Sequence, residues 1–127
     1  MTVEQVEQAT LQAALVAERE RTAARVAGLE RAFESVVESS AAAPPDDEHD
    51  PEGSTAGFER AQISTLLEND KAHLADLDRA LERLNAGVYG ICHTCGHEIV
   101  VERLVALPAA RTCAGCAHAV HSPLRRA

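Results

Sequence analysis

The chain has 127 residues, a formal charge of −8 and three aromatic side chains, Phe33, Phe58 and Tyr89. That length holds one domain, or one with a small appendage. Much of the apolar fraction is alanine, which buries too little area per residue for a thick globular core and suits narrow helix–helix seams instead.

The charge is uneven. Residues 1–90 hold 18 acidic and 8 basic side chains, a net of −10, whereas residues 91–127 hold 2 acids and 4 bases, a net of +2. Nucleic-acid binders neutralise phosphates with a basic footprint, and the long acidic part shows the reverse, so sequence-specific DNA binding is not expected. An acidic surface fits a basic protein cleft, or is simply solvated. The opening MTVEQVEQAT has neither a basic n-region nor an apolar core, so it does not read as a signal peptide. No stretch approaches the roughly 18 apolar residues of a membrane span. A cytoplasmic location follows as the expectation, and in a reducing compartment disulfides are rare.

In chain order, residues 3 to about 38 are rich in Ala, Glu, Arg, Gln and Leu without proline, which predicts a first helix. Val26 and Phe33 occupy one core position of a heptad, and Leu29 and Val36 the other. Extended backwards, the register meets Leu15 but also Thr22 and Arg19. The seam is therefore weaker toward the N-terminus, from a frayed end or from packing onto the C-terminal module.

The stretch ESSAAAPPDDEHDPEGST breaks the pattern, because Pro44 and Pro45 remove backbone donors and push their neighbours out of helical geometry. Asp50-Pro51-Glu52 then reads as a helix start, with Asp as N-cap, Pro at the first helical position and an acid in the first turn. The second helix runs to Ala86, with Leu67, Leu74, Leu81 and Val88 seven apart and Ile63, Leu77 and Leu84 on the other core position. Asp70 interrupts that series, and Gly87 supplies the stop.

These elements predict a mainly α fold. Residues 1–87 form a long antiparallel helical hairpin, a coiled coil with a tip loop near 39–50, and residues 88–127 form a small four-cysteine module with a short tail.

Cys92, Cys95, Cys113 and Cys116 are spaced C-x2-C-x17-C-x2-C, with no cysteine left over. Two such knuckles fit four thiolates around one tetrahedral Zn²⁺. Four sulfurs fill the shell, so the metal reads as structural, holding a segment too small to fold alone. A thioredoxin-like redox couple is the main rival, but it expects a βαβ surround that is absent. His93, His97, His118 and His121 crowd the knuckles and read as outer or solvent groups rather than ligands.

A helical hairpin followed by this module resembles the DksA/TraR zinc-finger family of transcription regulators. The resemblance is carried by C92-x2-C95-x3-I99-x3-R103-x4-P108-x4-C113-x2-C116 and by the lead-in LERLNAGVYGIC. His93 departs from it, standing where an acid or Ser is usual. The resemblance implies a protein that inserts its hairpin into the secondary channel of RNA polymerase, with acidic tip residues near the active centre. The family tip motif D-x-x-D-x-A has its nearest match here in Asp47-x-x-Asp50-x-Glu52, with Glu in place of Ala. Members that respond to guanosine tetraphosphate use basic residues where this chain has Asp76, Leu107 and Ala117, so that site is expected to be lacking.

The expected function is thus a non-enzymatic, monomeric regulator that binds RNA polymerase. No nucleophile–base constellation or open metal site can be assembled from these residues. Two further readings stand beside it: a zinc-stabilised structural or interaction protein with another partner, and a thiol-based redox sensor.

Overall fold

In the computed structural model the described residues are 3–42 and 51–120, with side chains at 5–39 and 55–119. Four helices follow in order: α1 (Val3–Ala42), α2 (Pro51–Asn85), α3 (Val101–Ala106) and α4 (Ala114–Val120). The described residues contain no strand, only an isolated antiparallel bridge between Ile91 and Glu98. The architecture is a long antiparallel helical hairpin followed by a small four-cysteine module.

The boundaries have local causes. α1 continues past the predicted end near 38, because Ser39 to Ala42 contain no breaker and the first proline is Pro44. α2 begins at Pro51, whose missing N–H and fixed φ suit a first helical position. Its end is a Schellman motif: Val88 N–H donates to the Arg83 carbonyl at 2.9 Å and Gly87 N–H to the Leu84 carbonyl at 3.2 Å. Gly87 has φ +79°, a conformation that costs side-chain-bearing residues about 1 kcal/mol or more.

The backbone divides into two compact units, Met1–Glu20 with Ala75–Ala127, and Arg21–Leu74. In the first, Leu15, Leu77, Ala80 and Leu84 form a buried cluster, with Leu81, Tyr89 and Ala109 packed against it. A second cluster, Cys92, Ile99 and Leu104, is covered by Leu11, Tyr89, Ala110, Cys113 and Cys116. Tyr89 belongs to both, so one half-buried ring joins the helical seam to the cysteine module. Leu11 also explains the heptad that weakens before Val26: this part of α1 packs onto the module as well as onto α2. Arg19, on a core position of the heptad, makes an ion pair with Asp78 of α2.

In the Arg21–Leu74 unit, Thr22 and Val26 are buried. Thr22 is wholly inaccessible despite its hydroxyl, which accepts a hydrogen bond from Arg25 Nη2 at 3.2 Å. Arg25 Nε also donates to Asp70 Oδ2 at 3.3 Å. Asp70, which breaks the leucine series in the sequence, thus serves as an inter-helix ion-pair partner at the edge of the seam. Both arginines keep their side chains 42% exposed or more, so solvent screens both pairs and neither anchors the seam.

Candidate metal centre

The first knuckle is built directly on the end of α2. Ile99 N–H donates to the Gly90 carbonyl at 2.7 Å and Cys92 N–H to the His97 carbonyl at 2.8 Å, bracketing the Ile91–Glu98 bridge. Gly96 N–H closes the turn onto the Cys92 carbonyl at 2.9 Å. Gly90 has φ +87°, and a Cβ there would lie 3.2 Å from Leu104 Cδ1. A side chain at this position would strain the backbone and require Leu104 to give by a few tenths of an ångström.

The second knuckle uses a helix. Cys113 precedes α4, and its carbonyl accepts the Ala117 N–H at 2.9 Å. Cys116 follows in the first turn of α4. Between the knuckles the chain runs extended and then enters α3, as the length of EIVVERLVALP allows.

The four Sγ atoms lie within 4.8 Å of one another, with Cys95 and Cys113 Sγ 3.9 Å apart. Four thiolates at about 2.3 Å from one tetrahedral zinc stand about 3.8 Å apart, so the cluster fits that ion. Cys92 is buried, Cys95 exposed, and Cys113 and Cys116 intermediate. No histidine joins the four-sulfur group among the described residues: His93, His97 and His118 are exposed, and His121 lies outside the described residues.

The electrostatics call for a cation. The Cys92 thiol is held down to about 6, chiefly by hydrogen bonds from the backbone of Cys95 and Cys113. Cys113 is lowered as well, first by the backbone of Cys116. Cys116 is pushed up to about 12 by its hydrogen bond with the Cys113 side chain and then by burial. Some sulfurs are thus prepared as thiolates, while their neighbours cannot ionise beside them without a compensating charge. A divalent metal supplies that charge and releases the remaining protons.

The residues between the knuckles form the scaffold. Ile99 is 4% exposed and packs with Cys92 and Leu104. Arg103 Nε donates to the Thr112 carbonyl at 3.0 Å, fixing the approach to the second knuckle. The buried Pro108 offers its carbonyl to Tyr89 OH at 2.8 Å. His93 N–H donates to the Arg111 carbonyl at 2.8 Å, tying one knuckle to the other. That bond uses only backbone, and the His93 side chain points to solvent, so its departure from the family pattern leaves the module intact.

Of the expected tip residues, Asp47 and Asp50 lie outside the described residues. Glu52 falls in the first turn of α2, and its side chain lies outside them too. One feature has no signature in the sequence. Arg83 Nη2 is sealed from solvent with no hydrogen-bond partner among the described residues. Burial and the neighbouring charge of Arg111 both lower the Arg83 pKa.

Residues 87–120 match the family described as the prokaryotic dksA/traR C4-type zinc finger. The module is a DksA/TraR-type zinc finger. Its four cysteines are positioned to bind one zinc ion. A protein of Aquifex aeolicus (strain VF5) is 51% identical over 58 residues, which is 46% of this chain and 40% of that protein. General stress protein 16O of Bacillus subtilis (strain 168) is 38% identical over 65 residues, 51% of this chain and 40% of that protein. Protein YteA of the same organism is 40% identical over 68 residues, 54% of this chain and 28% of its own length. The chain thus matches well under half the length of these curated relatives. The solved structure of transcription factor DksA2 from Pseudomonas aeruginosa matches with a TM-score of 0.73 and 29% identity, covering 89% of this chain and 81% of that one. No helix among the described residues is long and apolar enough to cross a membrane.

Proposed function

We propose that this chain is a DksA-like transcription regulator that binds RNA polymerase and inserts its acidic hairpin tip into the secondary channel. The observation that carries this reading is the match to transcription factor DksA2, which covers 89% of this chain and so extends beyond the zinc finger into the hairpin. In this reading Cys92, Cys95, Cys113 and Cys116 hold one structural zinc, and Asp47, Asp50 and Glu52 act at the tip. Residues 1–87 form the arm and residues 88–127 the base. The protein works as a cytoplasmic monomer without sequence-specific DNA contacts, and its role is to modulate, not to catalyse.

It also works without a guanosine tetraphosphate site. A polyphosphate needs basic partners, whereas Asp76 is an acid already paired with Arg79 at 2.7 Å and Leu107 and Ala117 carry no charge.

The test is a pull-down with purified core polymerase, followed by in-vitro transcription with and without guanosine tetraphosphate. The expected result is binding, an altered transcript yield lost in the Asp47→Ala/Asp50→Ala double variant, and no response to the nucleotide. Absence of binding, or an effect indifferent to the double variant, sinks the tip assignment. A clear nucleotide response sinks the claim about Asp76, Leu107 and Ala117.

A second reading, a zinc-stabilised interaction protein with a different partner, is favoured by the limited matches to the curated relatives, each about half of this chain. Normal folding and zinc content with no polymerase binding would select it.

A further inference from the structure

The unit formed by Met1–Glu20 and Ala75–Ala127 has five arginines with described side chains, and three of them have acceptors. Arg19 pairs with Asp78, Arg79 with Asp76, and Arg103 with the Thr112 carbonyl. Arg83 and Arg111 have none among the described residues. Arg83 stands in the last turn of α2, where its carbonyl accepts the Val88 N–H, and its half-buried side chain has Nη2 sealed from solvent. Nε and Nη1 are not sealed, so one edge of the guanidinium stays open. Arg111 is exposed, and its carbonyl is pinned by the His93 N–H at 2.8 Å. The two positive charges lie within each other's field, Arg111 being the second influence on Arg83 after burial. An arginine cannot shed its proton to escape such crowding, so the pair calls for an anion.

We propose that Arg83 and Arg111 form a site for a carboxylate, supplied by an aspartate or glutamate of a partner protein. Because a guanidinium charge is delocalised, an anion at the open edge also compensates the sealed Nη2. Arg111, on the surface, can meet the same carboxylate through paired N–H bonds. Hydrogen bonds fix both backbones before the ligand arrives, so less ordering is needed on binding. A carboxylate suits the site better than a phosphate. Its single charge adds least to a unit with 9 acidic and 7 basic side chains, a net of −2, whereas a phosphate brings up to two. Asp76 adds to that opposition, since its charge also reaches Arg83. A protein source suits better than a free acid, because apolar surface stands close along the backbone for a partner to cover. Val88, bonded to the Arg83 carbonyl, and Leu107, whose carbonyl accepts the Ala110 N–H, are 50% and 52% exposed. The site uses neither the hairpin tip nor the four sulfurs.

The experiment is an NMR titration of the full zinc-loaded chain with an acetylated, amidated tetrapeptide carrying one glutamate and one leucine. The same peptide with glutamine, free acetate and inorganic phosphate are the comparisons. Saturable shifts are expected at the Nε–H resonances of Arg83 and Arg111 with the glutamate peptide, weakening as salt is raised. Arg83→Gln and Arg111→Gln are each expected to weaken binding about three- to tenfold, the size of one partly exposed charge pair. Arg111 is exposed, so its variant should keep its zinc content and its fold. Arg60→Gln, which removes a charge at an exposed position of the other unit, should leave binding unchanged. Shifts that do not saturate, equal shifts with the glutamine peptide, unaltered binding in Arg111→Gln, or equal weakening in Arg60→Gln would overturn the site. Phosphate or acetate binding as tightly as the glutamate peptide would overturn the assignment to a partner's carboxylate. The probe is a short peptide, so failure to bind polymerase leaves this result unaffected, and the reverse also holds.

Discussion

Two residues of the finger and one near the end of α2 each support a separate measurement. Tyr89 donates to the Pro108 carbonyl while packing against both buried clusters. Tyr89→Phe keeps the ring and removes one hydrogen bond, leaving a buried carbonyl short of a donor. The expected loss is about 1 kcal/mol in urea unfolding of the zinc-loaded protein. Gly90 combines φ +87° with a neighbour 3.2 Å from any added Cβ. Gly90→Ala therefore incurs backbone strain and a tight contact with Leu104, and a loss of about 2 kcal/mol is expected, more than at Gly87, where a Cβ meets open space. Arg83 is the reverse case, a cation whose Nη2 is sealed from solvent with no acceptor among the described residues, beside the like charge of Arg111. Arg111→Glu turns that repulsion into attraction at an exposed position. It should raise stability by about 0.2–1 kcal/mol relative to Arg111→Gln. Equal midpoints for the two variants would show that Arg111 does not set the environment of Arg83.

At the scale of elements, the helical seam places its energy where the chain is thin in large side chains. Leu77 is fully inaccessible within the Leu15–Ala80–Leu84 cluster, whereas Leu66, on the same helix, is half exposed. Leu77→Ala is expected to cost about 2–5 kcal/mol, with Leu66→Ala within about 0.5 kcal/mol of the parent, both read from denaturant midpoints at constant slope. The contrast also shows what the sequence could reveal. Heptad spacing placed Val26, Leu77 and Leu84 in the seam, and Pro51 and Gly87 marked the two ends of α2, because periodicity and backbone restriction are local properties. Thr22, Arg19 and Asp70 looked like flaws in the same register. The structure shows that a hydroxyl can be buried once Arg25 bonds it, and that charges at a seam's edge can pair across it. Such pairing depends on the partner helix, which no single-helix pattern reports. The finger was legible for the same reason as Pro51: four cysteines at fixed spacing encode their own geometry. The contacts of Leu11 and Arg83 join segments more than sixty positions or about thirty positions apart in sequence, and nothing near either residue announces them.

For the molecule as a whole, the metal is expected to stabilise more than the finger. Cys92 is a member of the buried cluster with Ile99 and Leu104, and Leu11 of α1 packs on the same cluster. Zinc therefore holds the finger and, through Leu11, the packing of the first turns of α1. Its removal leaves four sulfurs within 4.8 Å of one another with no cation, and their mutual repulsion once ionised opposes the closed arrangement. Titration with a mercurial in the presence of a chromogenic chelator should release one zinc per chain. Far-UV circular dichroism should then fall only slightly, because α3 and α4 contribute 6 and 7 residues against 40 and 35 in α1 and α2. Amide hydrogen exchange should be far more revealing. Protection should vanish at Ile99 and Leu104, fall around Leu11, and persist around Val26, which belongs to the other compact unit. Acid should mimic the chelator, since protons compete with zinc for thiolate sulfur and metal is lost as the pH falls. Persistent protection at Ile99 and Leu104 in the metal-free chain would mean that Tyr89, Arg103 and the backbone bonds between the knuckles suffice to hold the finger, and that zinc is not what stabilises it.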